Sequence, residues 1–297
     1  MRDGIILINK PKGFTSFDVI AKLRGMLKTR RLGHAGTLDP MAVGVLPVFV
    51  GRATLACDLL PNHDKRYIAG FSLGVTTDTQ DSTGTVIKKC ESAVSEAEVT
   101  NALKEFEGEI MQTPPMYSAV KVGGKRLYDL AREGVTVQRS SRKITVFEIK
   151  LLEFDEKAQC GKLEVFCSKG TYIRTICHDL GEVLGVGGIM TSLERVSAAG
   201  FGLEQCLSLS EVQSLCESGE IENHILPIES VFESYPKIVL TKKHTPLFLN
   251  GVKLTLPCQS GILRVFSFDE RFLGLGYFEG DLLRIKKLFL TKEGYEK

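Results

Sequence analysis

The sequence predicts an α+β protein in which a large unit is followed by a small β-rich one. Three observations carry this expectation. Apolar runs of β type at 4–9, 65–74, 143–154 and 161–165 alternate with stretches of helical spacing, and the last two are placed as a hairpin. Short β-type runs recur through 238–297. At 297 residues the chain exceeds the usual single core, so two units are expected.

Each element has a local reason. Gly4 to Asn9 is apolar and β-branched and runs into the turn signal Lys10-Pro11-Lys12-Gly13, as a strand entering a loop does. Thr15 or Ser16 then caps a helix in which Val19, Ile20, Leu23, Met26 and Leu27 share a face, leaving Lys22, Arg24 and Lys28 outside. Lys65 to Gly74 alternates with period two and leads into a polar, turn-rich loop at 76–84, where Asp78 and Asp81 read as turn formers. Ser95-Glu96-Ala97-Glu98 has the form of a capping box, and Val99, Leu103 and Phe106 extend an apolar stripe, predicting a helix over about 95–108. A short amphipathic helix is expected within 123–132, and a longer one in which Ile173, Ile176, Cys177, Leu180 and Leu184 share a face. Between 208 and 228 short helical patterns alternate with Gly and Pro, and 229–237 reads as a linker. The runs at 262–267, 272–278 and 282–289 then suggest a small β-barrel-like domain.

Composition narrows the class. Apolar content of 43% and charged content of 25% are those of a soluble globular protein. No run approaches the ~18 apolar residues of a membrane span, and the first residues lack a signal-peptide layout, so a cytosolic protein is expected. Eight cysteines, at 57, 90, 160, 167, 177, 206, 216 and 258, include no Cys-x-x-Cys pair, and several fall in apolar segments. They read as buried free thiols, with neither disulfides nor zinc. A net charge of +2 neither demands nor excludes nucleic acid. Its distribution is more telling: Lys22, Arg24, Lys28, Arg30 and Arg31 cluster just before residue 39. Cations at 125, 126, 132, 139, 142 and 143 supply a second half for a cationic groove, with scattered surface charge as the alternative.

The run Arg31 to Val48 concentrates the chemistry. Gly33, Gly36 and Gly44 permit tight backbone approach, Pro40 keeps Asp39 out of a helix, and the apolar segment 41–50 puts the Asp39 carboxylate at the edge of a dry pocket. By itself Asp39 reads either as a turn former before proline or as a tuned nucleophile or general base.

Gly33-His34-Ala35-Gly36-Thr37-Leu38-Asp39-Pro40 resembles the catalytic motif of the bacterial tRNA pseudouridine-55 synthases, the TruB family, and the similarity covers nearly the whole chain. Four further stretches share it. Lys10 to Ser16 is similar to the family's K-P-x-G-x-T-S segment, a packing partner for the active loop; Lys65-Arg66-Tyr67 and Gly74 to Gly84 to its second motif; Gln112 to Lys121 to the segment supporting the site floor; and Cys167 to Thr175 to its third motif. Met190 to Arg195 is similar in part to an L-x-R segment, with Glu194 where many relatives carry another residue.

The resemblance implies a pseudouridine synthase fold: a mixed, mostly antiparallel central sheet with flanking helices over 1–230, and a PUA-like RNA-binding domain over 236–297. It implies an isomerase that converts the T-loop uridine of tRNA to pseudouridine, with the base flipped into a pocket. Asp39 is then the nucleophile, attacking C1′ or C6, Arg174 its guanidinium partner, and Tyr67 both the ring against the uracil and a catalytic residue that takes a proton from the sugar if the path runs through a glycal. His34, Tyr172 and Leu193 contact the substrate. Because the isomerisation neither adds nor removes atoms, no cofactor or metal is expected. A stand-alone, monomeric, cytoplasmic enzyme is implied, with tRNA as its partner and no obligatory protein or membrane partner. Two readings of other classes remain at this point: a non-catalytic RNA-binding or folding factor, and an aspartate-nucleophile hydrolase, the latter lacking a second carboxylate or metal cluster.

Overall fold

The computed structural model describes residues 2–257 and 261–295. In chain order the first part contains β1 (Gly4–Lys10), α1 (Ser16–Met26), β2 (Leu32–His34), β3 (Val43–Val50), β4 (Lys65–Leu73), β5 (Val75–Thr77), β6 (Val86–Lys89) and α2 (Glu96–Leu103). The chain continues with β7 (Gly108–Gln112), β8 (Lys121–Val122), β9 (Lys125–Arg126), α3 (Leu127–Arg132), β10 (Arg142–Asp155), β11 (Cys160–Cys167), α4 (Ile173–Val183), β12 (Gly188–Ala198), β13 (Phe201–Gly202) and α5 (Leu209–Ser218). The C-terminal part adds β14 (Lys237–Val239), α6 (His244–Leu249), β15 (Leu254–Thr255), β16 (Ile262–Phe266), β17 (Phe272–Glu279), β18 (Leu282–Leu288) and α7 (Lys292–Tyr295).

The central sheet has the order β1-β3-β12-β4-β11-β10-β7, with β2 paired to β3 and β13 to β12. All of these pairings are antiparallel except the short parallel junction of β12 with β3, where Glu194 meets Val43 and Arg195 meets Gly44. The junction depends on a glycine. Gly44 has φ +104°, and a Cβ there would lie 2.3 Å from the carbonyl oxygen of Arg195.

Local sequence explains the flanking helices. The Thr15 side chain accepts from the Asp18 amide while Asp18 caps back, and Val19, Ile20, Leu23 and Leu27 are buried as their spacing requires. Ser95 and Glu98 form the expected capping box, but α2 ends at Leu103 and a 3₁₀ turn carries Phe106 into the core. On α4, Ile176, Cys177 and Leu180 are fully buried and share a core with Ala69, Phe71, Leu163 and Val165 of the sheet.

The C-terminal part forms a five-stranded sheet, β14-β16-β17-β18-β15, with only the β14–β16 pairing parallel. The segment read as a linker is not one. Ile228–Phe232 is a 3₁₀ helix whose buried Ile228, Val231 and Phe232 share an apolar cluster with Ile5, Leu7 and Phe49 of the first sheet, Leu275 of the second and Phe289 just after β18. Apolar side chains every few residues make this stretch a wedge between sheets, where a solvated tether was expected. Arg52 Nε donates to the Phe289 carbonyl at 2.6 Å across the same junction.

The seven described cysteines are free; Cys167 and Cys177 are buried and the other five are partly exposed, less uniformly buried than expected. Cys258 lies outside the described residues. Among the described residues no helix is long and apolar enough to cross a membrane.

Candidate active site

The loop carrying Asp39 joins β2 to β3 and is tied down from both sides. The Ala35 amide donates to the Pro47 carbonyl at 3.1 Å, the Leu38 amide to Ser16 Oγ at 2.9 Å, and the Gly13 amide to the Pro40 carbonyl at 2.7 Å. The Lys10 to Ser16 segment is thus the packing partner of the loop. With Leu38 buried, the neighbouring Asp39 side chain stays 42% exposed.

Arg174, in the first turn of α4, is 6% exposed and reaches Asp39 Oδ2 through Nη2 at 3.1 Å. Its other contacts fix it independently of Asp39. Nη1 meets Asp81 Oδ2 at 3.1 Å and donates to the Thr79 carbonyl at 3.2 Å, and Nη2 donates to the Tyr117 carbonyl at 2.8 Å. Asp81 is itself held by Thr79 Oγ1 at 2.8 Å, Thr83 Oγ1 at 2.5 Å and the Thr83 amide at 3.0 Å. Asp78 acts as the expected turn former, accepting from the Thr85 amide, but Asp81 is more than that. It is the buried counter-charge of Arg174.

Asp39 and Arg174 open onto a cavity of about 480 Å³ that is also lined by His34, Tyr67, Tyr172 and Leu193. The structure therefore gathers all six residues singled out in the sequence. Gln112 clasps the Tyr172 backbone in both directions, accepting from its amide at 2.7 Å and donating to its carbonyl at 3.0 Å. The Arg142 guanidinium stacks 4.9 Å from the Tyr172 ring. Lys65, Arg142 and Lys169 line the same cavity, giving it cationic walls. Of the more distant cations expected in the groove, Lys143 is paired with Glu109 and Lys125 with Glu133.

Near the loop and the cavity are buried cations to which sequence reasoning assigned no role. Lys10 is fully buried, its ammonium donating to the Pro11 and Phe14 carbonyls, and burial lowers its pKa to about 8 against the attraction of Asp39. Burial also brings Lys65 to about 8, with Arg195 adding to the effect. Arg195 is completely buried, with Nε donating to the Val45 carbonyl at 2.8 Å and Nη2 to the Gly36 carbonyl at 3.0 Å. Gly36 has φ +80°, and a Cβ there would press on Lys65 and Arg195. Tyr67 is 7% exposed, and burial raises its phenol pKa, opposed by Arg195. His34 is pushed down, first by burial and then by Arg195.

Signals for these residues were present but weak. Arg195 closes the Leu193-x-Arg195 segment, Lys10 opens the K-P-x-G segment, and Asp81 stands in a polar loop. Nothing in the spacing tells that three strands converge on Arg195, or that Asp81 reaches α4.

The arrangement offers one half-open carboxylate aimed by a guanidinium, aromatic and aliphatic walls for a planar ring, and cations at the margin for phosphates. Among the described residues no cluster of three or more His, Cys, Asp or Glu side chains is placed to hold a metal ion.

Comparison with known proteins agrees with this geometry. Residues 24–173 match the model described as TruB family pseudouridylate synthase (N terminal domain), and residues 174–233 that of the tRNA pseudouridylate synthase B C-terminal domain. The chain is 39% identical to tRNA pseudouridine synthase B of Clostridium kluyveri over 294 residues, covering 97% of this chain and 100% of that protein. It is 40% identical to the protein of the same name from Actinobacillus pleuropneumoniae over 284 residues, covering 94% and 92%. Among solved structures, a chain of the archaeal box H/ACA sRNP Nop10-Cbf5 complex superposes with TM-score 0.74 at 27% identity, over 99% of this chain and 88% of that one. A chain of an H/ACA RNP bound to a substrate RNA containing 2′-deoxyuridine gives the same TM-score at 24% identity, over 98% and 86%, and speaks for the fold alone. On the family models and the near-complete relatives together, the chain belongs to the TruB family of pseudouridylate synthases.

Proposed function

We propose that this chain isomerises the T-loop uridine of tRNA to pseudouridine, with Asp39 as nucleophile and the target nucleoside flipped into the cavity at Asp39. The observation that carries the reading is the Asp39–Arg174 pair at 3.1 Å, with the carboxylate 42% exposed to a cavity large enough for one nucleoside. Tyr67 and Tyr172 supply faces for the uracil, Leu193 an apolar wall, and His34 a polar contact with the RNA or the space vacated by the base. The N1–C1′ bond breaks and a C5–C1′ bond forms, so the product has the composition of the substrate and the reaction calls for no cofactor.

Several features extend the reading. The cavity-lining cations Lys65, Arg142 and Lys169 neutralise phosphates next to the flipped nucleotide. Residues 1–230 form the catalytic domain, and the C-terminal sheet over 236–297 is a PUA-like RNA-binding domain. The enzyme acts as a cytoplasmic monomer without an obligatory protein partner. Support for the reading comes from the family, from relatives named tRNA pseudouridine synthase B, and from the site.

The test is incubation of unmodified tRNA with purified protein and no added cofactor, followed by mapping of pseudouridine. Wild type forms the product at the T-loop uridine, and Asp39→Asn forms none while keeping tRNA affinity within a few fold. Product from Asp39→Asn would remove Asp39 from the catalytic role.

A further inference from the structure

Arg195 lies where three strands meet. On β12 it stands in register with Tyr67 of β4 on one side and with Gly44 of β3 on the other. Its side chain is fully buried, two of its nitrogens are taken by the Val45 and Gly36 carbonyls, and Nη1 has no partner in full hydrogen-bond geometry. Arg174 provides the contrast, because it is answered by two carboxylates. Among the described residues no carboxylate forms an ion pair with Arg195.

A guanidinium buried without an acid is costly, and an apolar side chain of similar volume packs more cheaply. Its position beside the site accounts for its presence. Tyr67 stands opposite Arg195 in the β12–β4 register, and the Arg195 charge favours the ionised form of its phenol. Other groups face Tyr67 from several elements. Asp39 on the active loop and Cys167 on β11 oppose a negative phenol oxygen, as burial does, and Arg195 favours it. The Arg195 charge also reaches Lys10 on β1, His34 on β2 and Lys65 on β4, disfavouring the protonated form of each.

We infer that Arg195 is a positioning residue for Tyr67: its unanswered guanidinium orients the phenol oxygen and stabilises the negative charge that oxygen carries as a proton acceptor during isomerisation. The inference rests on the function proposed above for the same cavity. Turning uridine into pseudouridine exchanges a C–H bond at C5 for an N–H bond at N1. In the step assigned here the phenolate oxygen of Tyr67 gains the proton, the C–H electron pair stays in the nucleoside, and solvent protonates N1. The new phenol then returns its proton to solvent. The active loop is coupled to this step, since the guanidinium that faces Tyr67 also holds the Gly36 carbonyl three residues before Asp39.

The experiment places 3-fluorotyrosine at position 67 and follows its ¹⁹F resonance against pH, without RNA, in the parent protein and in Arg195→Met and Arg195→Lys. The expected result is a titration midpoint raised by about one pH unit or more in Arg195→Met and nearly unchanged in Arg195→Lys. On tRNA, Arg195→Met with ordinary tyrosine loses about tenfold or more in single-turnover rate, and fluorotyrosine at 67 recovers most of that loss. Equal midpoints in folded parent and Arg195→Met proteins overturn the inference, as does a rate loss that fluorotyrosine leaves untouched. Where Arg195→Met does not melt cooperatively, Arg195→Gln takes its place. If every neutral variant fails to fold while Arg195→Lys folds but keeps neither midpoint nor rate, Arg195 is a structural residue only. Failure of the proposed function reads differently: the parent protein then makes no pseudouridine, while the ¹⁹F midpoints still report on Arg195.

Discussion

The buried carboxylate of Asp81 meets Nη1 of Arg174 at 3.1 Å, on the opposite branch of the guanidinium from the one that reaches Asp39. Asp81 is in turn locked by Thr79 and Thr83. The guanidinium is therefore set by a closed polar network before Asp39 engages it, and the loop aspartate needs no rigid support of its own. Preorganisation of this kind lets one exposed carboxylate keep a fixed direction.

Breaking that network is expected to cost both stability and rate. Asp81→Ala leaves the buried side of Arg174 without its counter-charge, a loss of roughly 3 kcal/mol by the usual cost of halving a buried pair. A guanidinium that drifts by about 1 Å lowers the single-turnover rate about 100-fold. Urea unfolding and single-turnover assays check the two effects, and an Asp81→Ala protein with parental rate would show that Arg174 is placed by its carbonyl contacts alone.

Gly44→Ala tests the strand junction beneath the site. The added methyl would sit 2.3 Å from the Arg195 carbonyl oxygen at a φ of +104°. Both backbone strain and the clash oppose it, so a loss of at least about 2 kcal/mol is expected, with tRNA modification falling in step as the loop shifts. Thermal melts of the purified variant provide the measurement. A melting point within a degree of wild type would mean that β3 and β12 can separate without harm.

Lys10 makes a pH prediction of defined sign. Its folded-state pKa, about 8, lies below the 10.5 of an ordinary lysine, so between these values the unfolded chain binds a proton that the folded protein does not. Stability of the wild type relative to Lys10→Met is thus constant below about pH 8. It then rises by roughly 1.4 kcal/mol per pH unit toward pH 10, as the buried ammonium loses its charge. Parallel urea-unfolding series at pH 7, 8, 9 and 10 test this; two curves that stay parallel throughout mean that Lys10 keeps its proton.

The cations on α1 should govern affinity without touching chemistry. Lys22 is exposed and lies over the Phe14 ring, while the half-buried Arg24 lies over the exposed Phe17 ring. Lys22→Ala and Arg24→Ala are each expected to weaken tRNA binding and to reduce the slope of log affinity against log salt by about one, while the saturated rate is unchanged. Filter binding at several salt concentrations measures the slope. An unchanged slope in both variants places the RNA on another face.

The sequence by itself determined what depends on near neighbours: the helix starts at Thr15 and Ser95, the β10–β11 hairpin, the irregular loop around Asp39, and the family to which those short patterns belong. Capping, alternation and proline restriction act within a few residues, so they are written in the chain. Tertiary structure alone decided that Arg195 and Lys10 are buried cations, that Asp81 is the counter-charge of Arg174, and that 228–232 is a wedge between two sheets. A lysine or arginine in a sequence reads as solvated, because charge is costly to bury. Whether strands 150 residues apart supply the carbonyls that make burial tolerable, as Val45 does for Arg195, is settled only when the sheet closes.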